Sequence, residues 1–225
     1  MNEHDGESSR QAGHRDRWLA RHRAAIVRRL AAEGARVVFT YAASRGAATA
    51  LQGAIRQGVE RLGGLDILVN NAGILLHGGV DAFALDDFER MFAVNVRAVF
   101  VAVQAASPLL GGGGRIVTIG SVTADRAGFA GASVYSMTKG AVASLTRGLA
   151  RDLGPRGITV NTVEPGPTNT EMNAAPDLLD RLAPMMALGR VGKDAEVANP
   201  VAWLAGPESR YVTGAALTVD GGYLA

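Results

Sequence analysis

From residue 17 onward the chain alternates between two hydrophobic periods. Leu19, Ile26, Val27 and Leu30 fall at helical spacing within residues 17–33, and Gly34 stops the run. "ARVVFTY" (35–41) follows, a short β-branched and aromatic run that predicts a buried strand. "SRGAATALQGAIRQGVERLG" reads as one helix or two short ones, and "LDILVNNAG" as a strand ending in Asn and Gly. Residues 86–107 predict a helix ending near Ser107-Pro108, and "GGGGRIVTIGS" a glycine turn and a strand. A helix over 133–153 is stopped by Gly154-Pro155, and "GITVNTVEPG" is a further strand. Helical candidates at 176–187 and 194–205 precede a last strand in "ALTVDGG". Residues 1–15 are polar, with Gly6, Ser8, Ser9 and Gly13, and read as a disordered leader before a single domain over 16–225.

Strands alternating with helices imply an α/β fold, a parallel sheet covered on both faces. In such sheets a ligand lies beyond the carboxyl ends of the strands. The residues just after each strand are therefore the first to inspect for chemistry.

Composition narrows the class. With 225 residues, 48% of them apolar, the chain can bury a large core in one domain. It has no cysteine, which excludes disulfides and thiolate chemistry. No apolar run is read as long enough to span a bilayer, the N-terminus is too polar for a secretory signal, and the expected compartment is the cytoplasm. Net charge is only +2, but Arg10, Arg15, Arg17, Arg21, Arg23, Arg28 and Arg29 crowd the first thirty residues. A basic arm could touch nucleic acid or anionic membrane; without a nucleic-acid motif or interleaved aromatics, a solvated leader is preferred, with neither as a partner.

Four strand ends and one helix carry candidate chemistry. Asn70, Asn71, Ala72 and Gly73 follow "LDILV", Ser121 follows "RIVTIG", and Pro165 and Gly166 end "ITVNTVEPG". "YSMTK" places Tyr135 and Lys139 at i and i+4, on one helical face. A neighbouring ammonium favours phenolate, which would lower a Tyr pKa from its usual value near 10 and prepare it for proton exchange. A Ser hydroxyl at a strand end could polarise a substrate carbonyl. Taken singly, each is weak: Tyr135 and Lys139 could be a surface pair, Ser121 a cap or turn residue, and Asn71 a turn residue. No metal-ligand cluster is read.

The ordered set is more specific. "NNAG", Asn95 in "FAVNV", Ser121, "YSMTK", "VNTVEPGPTNTEM" and "VTGAALTVDGGY" together resemble the short-chain dehydrogenase/reductase family over about residues 24–225. The nearest resemblance is to its NADP-using, 3-oxoacyl-carrier-protein reductase-like branch. The resemblance implies a Rossmann-like doubly wound sheet, a homotetramer, and hydride transfer between NADP and the carbonyl or alcohol of a small or acyl-type substrate. It makes Tyr135 the general acid or base, with Lys139 lowering its pKa and holding the nicotinamide ribose. Ser121 would position the substrate oxygen, and Asn95 would kink its helix and hold a water that joins Lys139 to a proton relay. Asn71, Ala72 and Gly73 would line the cofactor cleft, while Pro165, Gly166, Thr168 and Thr170 would shape the nicotinamide site. "TYAASRG" offers Ser44 and Arg45 where an acid would select NAD, which favours NADP over NAD unless Arg45 merely faces solvent. Ser121 and Tyr135 stand one residue further apart than the family's spacing, a difference the loop "DRAGFAGAS" can absorb. Met172, Leu178, Met185 and Met186 are either an apolar substrate wall or core or interface packing.

Two parts of the family pattern are missing. "DRWLARHR" stands where a strand and a TGxxxGxG turn would present backbone N–H groups to a pyrophosphate, and it contains no glycine. Between "VVFTY" and "LDILVNN" there is room for one helix but not for the family's two helices and third strand. The first and third family strands are thus expected to be lost or distorted. Arg15 to Arg23 can be written CGT GAC CGG TGG CTC GCG CGG CAT CGG. Read one base later this gives V-T-G-G-S-R-G-I-G, so a frameshift closing before Ala24 is a hypothesis for the missing turn. The alternatives to an active enzyme are a non-catalytic relative that oligomerises or binds a partner, and an inactive frameshifted product.

Overall fold

In the computed structural model, residues 17–39, 48–169 and 180–225 are described. The predicted leader, Ser44, Arg45, Thr170, Met172 and Leu178 lie outside these residues. Helix α1 (Arg17–Ala32) is followed by α2 (Ala48–Leu62), strand β1 (Leu65–Asn70) and α3 (Leu85–Phe92). A π-helical turn, Ala93–Arg97, joins α3 to α4 (Ala98–Ala106), and β2 (Leu110–Ile119) follows. Then come α5 (Ser133–Leu153), β3 (Thr159–Pro165), α6 (Asp194–Ala205) and β4 (Ala216–Val219).

The four strands pair in parallel in the order β1-β2-β3-β4. Strand side chains alternate between faces, so β2 feeds two cores. Val117 and Ile119 join Val163 of β3, Ala25, Ile26 and Leu30 of α1, and Val197 and Val201 of α6. Ile116 faces the other way, with Val160, Val103 of α4 and Ala150 and Leu153 of α5. Each of the Val, Leu and Ile side chains among these stabilises the fold by roughly 1.5–3 kcal/mol when fully buried. Helices thus cover both faces of a parallel sheet, as the alternating pattern predicted.

Two expectations need correction. "ARVVFTY" was expected to be a buried strand, but Ala35–Phe39 forms no ladder, and Val38 and Phe39 are exposed. Ala35 and Val37 still pack on the core, yet no strand pairs with them among the described residues, and residues 17–23 are helix. Among the described residues no strand pairs with the other edge of β1, which is half-buried where β3 is buried throughout. The second correction concerns apolar length. The helical run Leu85–Leu109 is long and apolar enough by composition to cross a bilayer. Its C-terminal part, α4, nevertheless contributes to the core against β2 and β3. The predicted 176–187 helix is described from 180, where one helical turn leads into a 3₁₀ turn at Ala183–Met185.

Candidate functional site

The site is built where β1, β2 and β3 end and α5 begins. Ser121 directly follows Gly120 at the end of β2 and caps a 3₁₀ turn, Val122–Ala124. Its hydroxyl oxygen accepts from the Thr123 N–H at 3.2 Å and lies 3.0 Å from the Thr123 hydroxyl. Ser121 is therefore a cap residue and a site residue at once. Its side chain faces Tyr135, two residues into α5, closely enough to act on that hydroxyl. The loop between them, "DRAGFAGAS", turns at Gly131, whose φ of 81° suits glycine.

Lys139 comes one helical turn after Tyr135 and is 3% exposed. Its Nζ donates to the Ile119 carbonyl at 2.9 Å and lies 5.6 Å from the centre of the Tyr135 ring. Burial, opposed by the charge of Glu164, brings Lys139 down to about 8. Tyr135 departs from the expectation of a lowered pKa. Burial pushes its hydroxyl up to about 12, against the smaller lowering effect of Ser121. The physical reason is desolvation of a residue only 4% exposed, with the ammonium over the ring. The tyrosine of this ligand-free chain therefore holds its proton at neutral pH.

Asn95 sits inside the π-helical turn between α3 and α4, as expected for a residue that distorts its helix. Its Oδ1 accepts from the Ile74 N–H at 2.7 Å; its Nδ2 donates to the Ile74 carbonyl at 2.9 Å and to Thr138 Oγ1 at 3.0 Å. The Thr138 hydroxyl in turn donates to the Tyr135 carbonyl at 2.7 Å. Asn95 thus locks the segment after β1 to the first turn of α5. A Cβ on Gly73 would lie 3.3 Å from Asn95 Oδ1 and 3.6 Å from Lys139 Nζ, so Gly73 leaves a cradle beside both. Asn71 and Ala72 precede it at the open end of β1.

Pro165 ends β3, and a Cβ on Gly166 would come within 2.5 Å of the Asp220 side chain. Glycine is therefore required where this loop meets the segment after β4. The Thr168 hydroxyl donates to the Gly166 carbonyl at 2.9 Å, and Thr168 bridges to Gly192. The structure brings Asn95, Ser121, Tyr135 and Lys139 together, with Gly73 beside them. Glu164, Gly120 and Thr138 were not singled out from sequence. Glu164 left a signal, as an acid within the buried run "ITVNTVEPG".

These residues fit the nicotinamide and ribose end of a dinucleotide: a buried lysine ammonium, a tyrosine hydroxyl that holds its proton, and a glycine cradle. The pyrophosphate end differs. Residues 17–23 are helical and have no glycine, so they do not form the TGxxxGxG cradle of backbone N–H groups. No group of three or more potential metal ligands occurs among the described residues.

Comparison with known proteins agrees with this geometry. A family model described as enoyl-(acyl carrier protein) reductase matches residues 46–224. A solved short-chain dehydrogenase/reductase from Serratia marcescens is 51% identical, with a TM-score of 0.87 over 93% of this chain and 95% of that one. A short-chain dehydrogenase from Burkholderia cenocepacia, solved in complex with NADP, is 44% identical, with a TM-score of 0.86 over 93% and 95% of the two chains. The cyclic-di-GMP-binding biofilm dispersal mediator protein of Escherichia coli is 45% identical over 216 residues, which span 89% of this chain and 91% of that protein. The chain belongs to the short-chain dehydrogenase/reductase family of NAD(P)-dependent oxidoreductases.

Proposed function

We propose that the chain is an NADP-dependent oxidoreductase that reduces the carbonyl, or oxidises the alcohol, of a small or acyl-type substrate. The convergence of Ser121, Tyr135, Lys139 and Asn95 at the strand ends carries this reading. When bound, a reduced nicotinamide supplies the hydride. Ser121 holds the substrate oxygen, and Tyr135, which keeps its proton at neutral pH, donates it to that oxygen. The Lys139 ammonium stabilises the phenolate left behind, and Lys139 is also the group that would hold the ribose hydroxyls. Ser44 and Arg45 are proposed for the 2′-phosphate, Asn71, Ala72 and Gly73 for the cleft, and Pro165, Gly166, Thr168 and Thr170 for the nicotinamide. Met185, 43% exposed, is offered as part of the substrate wall, whereas Met186 is buried in a core cluster with Val122 and Tyr223.

Further proposals follow from the family resemblance. The chain is assigned to the 3-oxoacyl-carrier-protein reductase-like branch, with its third family strand deleted, and to the cytoplasm. Assembly as a homotetramer is supported by an open apolar groove between α4 and α5, lined by Phe92, Val96, Phe100 and Leu145, in which Phe100 is 47% exposed. The missing glycine turn is attributed to a shifted reading frame. Gene codons incompatible with V-T-G-G-S-R-G-I-G would remove that explanation.

The helical, glycine-free residues 17–23 favour a second reading, a relative that has lost catalysis and keeps an oligomerising or partner-binding surface, or an inactive product. Titration with NADPH, followed by cofactor fluorescence, separates the two. Saturable micromolar binding supports the enzyme; a folded chain that does not bind sinks it. Cyclic di-GMP, named for the E. coli relative, is the second titrant, and binding of it alone supports the non-catalytic reading.

A further inference from the structure

Three consecutive residues at the end of β2 have different duties. The Ile119 carbonyl accepts from Lys139, Ser121 faces Tyr135, and Gly120 between them makes room for Glu164. A Cβ on Gly120 would lie 3.0 Å from Glu164 Cγ and 3.4 Å from its Oε1. Glu164 belongs to β3, two residues after Thr162, and both side chains leave the strand on the same face. Thr162 meets Thr146 of α5 at 2.6 Å, so Glu164 also points beneath α5. It is 1% exposed, and neither carboxyl oxygen has a hydrogen-bond partner of ordinary geometry.

The charged groups around it come from two elements. Lys139 and Arg147 face it from α5, and Asp125 from the end of the 3₁₀ turn after β2. From α1, His22 feels the charge of Lys139 and does not act on Glu164. No charged group of β4 acts on it among the described residues; Thr218 is the residue opposite. Burial, then Asp125, pushes Glu164 up to about 7, while Arg147 and Lys139 pull the other way.

We propose that Glu164 is a positioning residue for the acid–base pair: from its seat against Gly120 its carboxylate holds Lys139 in the ammonium form that Tyr135 requires. The inference rests on the oxidoreductase reading for its purpose, but its electrostatics belong to the ligand-free chain. Burial drives Lys139 toward the neutral amine; an ionised Glu164 opposes this. Above neutrality, where Glu164 is ionised, Lys139 keeps its charge to higher pH than burial alone would permit. Removing the carboxylate therefore lowers the Lys139 midpoint.

The chain has two lysines, Lys139 and the exposed Lys193, so a lysine-labelled sample gives two side-chain NMR signals and an internal reference. Titrated without cofactor, Glu164→Gln is expected to move the Lys139 midpoint down by about one pH unit. The Lys193 midpoint stays, and Glu164→Asp restores most of the shift. An unchanged Lys139 midpoint in Glu164→Gln overturns the proposal, as does equal behaviour of the Gln and Asp variants. Should the Gln variant not fold, carboxyl titration of glutamate-labelled wild-type chain decides. One glutamate titrating near neutrality, with a matching inflection in the Lys139 curve, supports the proposal; all glutamates titrating below about pH 5 overturn it. These readouts do not depend on NADPH binding, so failure of the enzymatic reading remains separately visible.

Discussion

His22 lies on α1 one turn before Ala25 and Ile26, and is buried with them against the apolar layer shared with α6. Burial brings its imidazole down to about 4, opposed by Asp194 and assisted by Lys139. Its folded pKa is below the unfolded value near 6.5, so protonation favours the unfolded chain. Stability is unaffected above about pH 6.5 and lost as pH falls toward 4, by roughly 3 kcal/mol for a shift of this size. His22→Ile should flatten this acid limb and raise the melting temperature at pH 5 more than at pH 7, by circular dichroism. An unchanged difference between the two pH values would count against the assignment. Tyr135→Phe removes the donated proton and nothing else of the same size. Carbonyl reduction should fall by about a hundredfold or more with unaltered thermal unfolding. Sequence alone made the tyrosine, lysine and serine legible because their spacing is local. It misjudged the direction of the tyrosine shift because desolvation depends on what the rest of the chain places over the ring.

At the scale of elements, the ends of β2 and β3 are tightly fitted. A Cβ at Gly120 would lie 2.6 Å from Thr162 Cγ2 as well as against Glu164. Gly120→Ala is expected to destabilise the chain by about 1–3 kcal/mol, read from the denaturant midpoint, because strand and side chain must both yield. A midpoint shift within 0.3 kcal/mol, on the order of a neutral surface change, would show that the strand ends have slack. The helices from α3 to α6 and strands β1 to β4 were legible from periodicity and punctuation, since each has a partner to pack on. "ARVVFTY" has strand composition, yet Ala35–Phe39 does not pair. Strand propensity describes a pleated surface with neighbours, and here residues 17–23 have become helix. The π-helical turn at Asn95 could not be read from local pattern either. It is held by bonds to Ile74 and Thr138, which are distant in sequence.

At the scale of the molecule, the cluster of Asn95, Ser121, Tyr135 and Lys139 is set beside an open sheet edge. The β1 edge leaves backbone donors and acceptors unpaired among the described residues, the arrangement through which sheets associate. Replacing Arg15–Arg23 by VTGGSRGIG should restore both a strand for that edge and a cradle for pyrophosphate. The expected result is NADPH binding at least about tenfold tighter and a higher melting temperature, from fluorescence titration and thermal unfolding. No change in either would show that the helical segment is an adequate substitute. By itself, the sequence determined the alternation of strands and helices, the sheet's parallel class, the order of the candidate site residues and the lack of glycine between Asp16 and Arg23. All are readable because hydrophobic period, turn chemistry and motif spacing act over a few residues. Tertiary structure alone decided that Ala35–Phe39 stays unpaired, that Tyr135 retains its proton, and that Glu164 is buried within reach of the Lys139 charge. Pairing, desolvation and charge coupling depend on groups that only folding brings together.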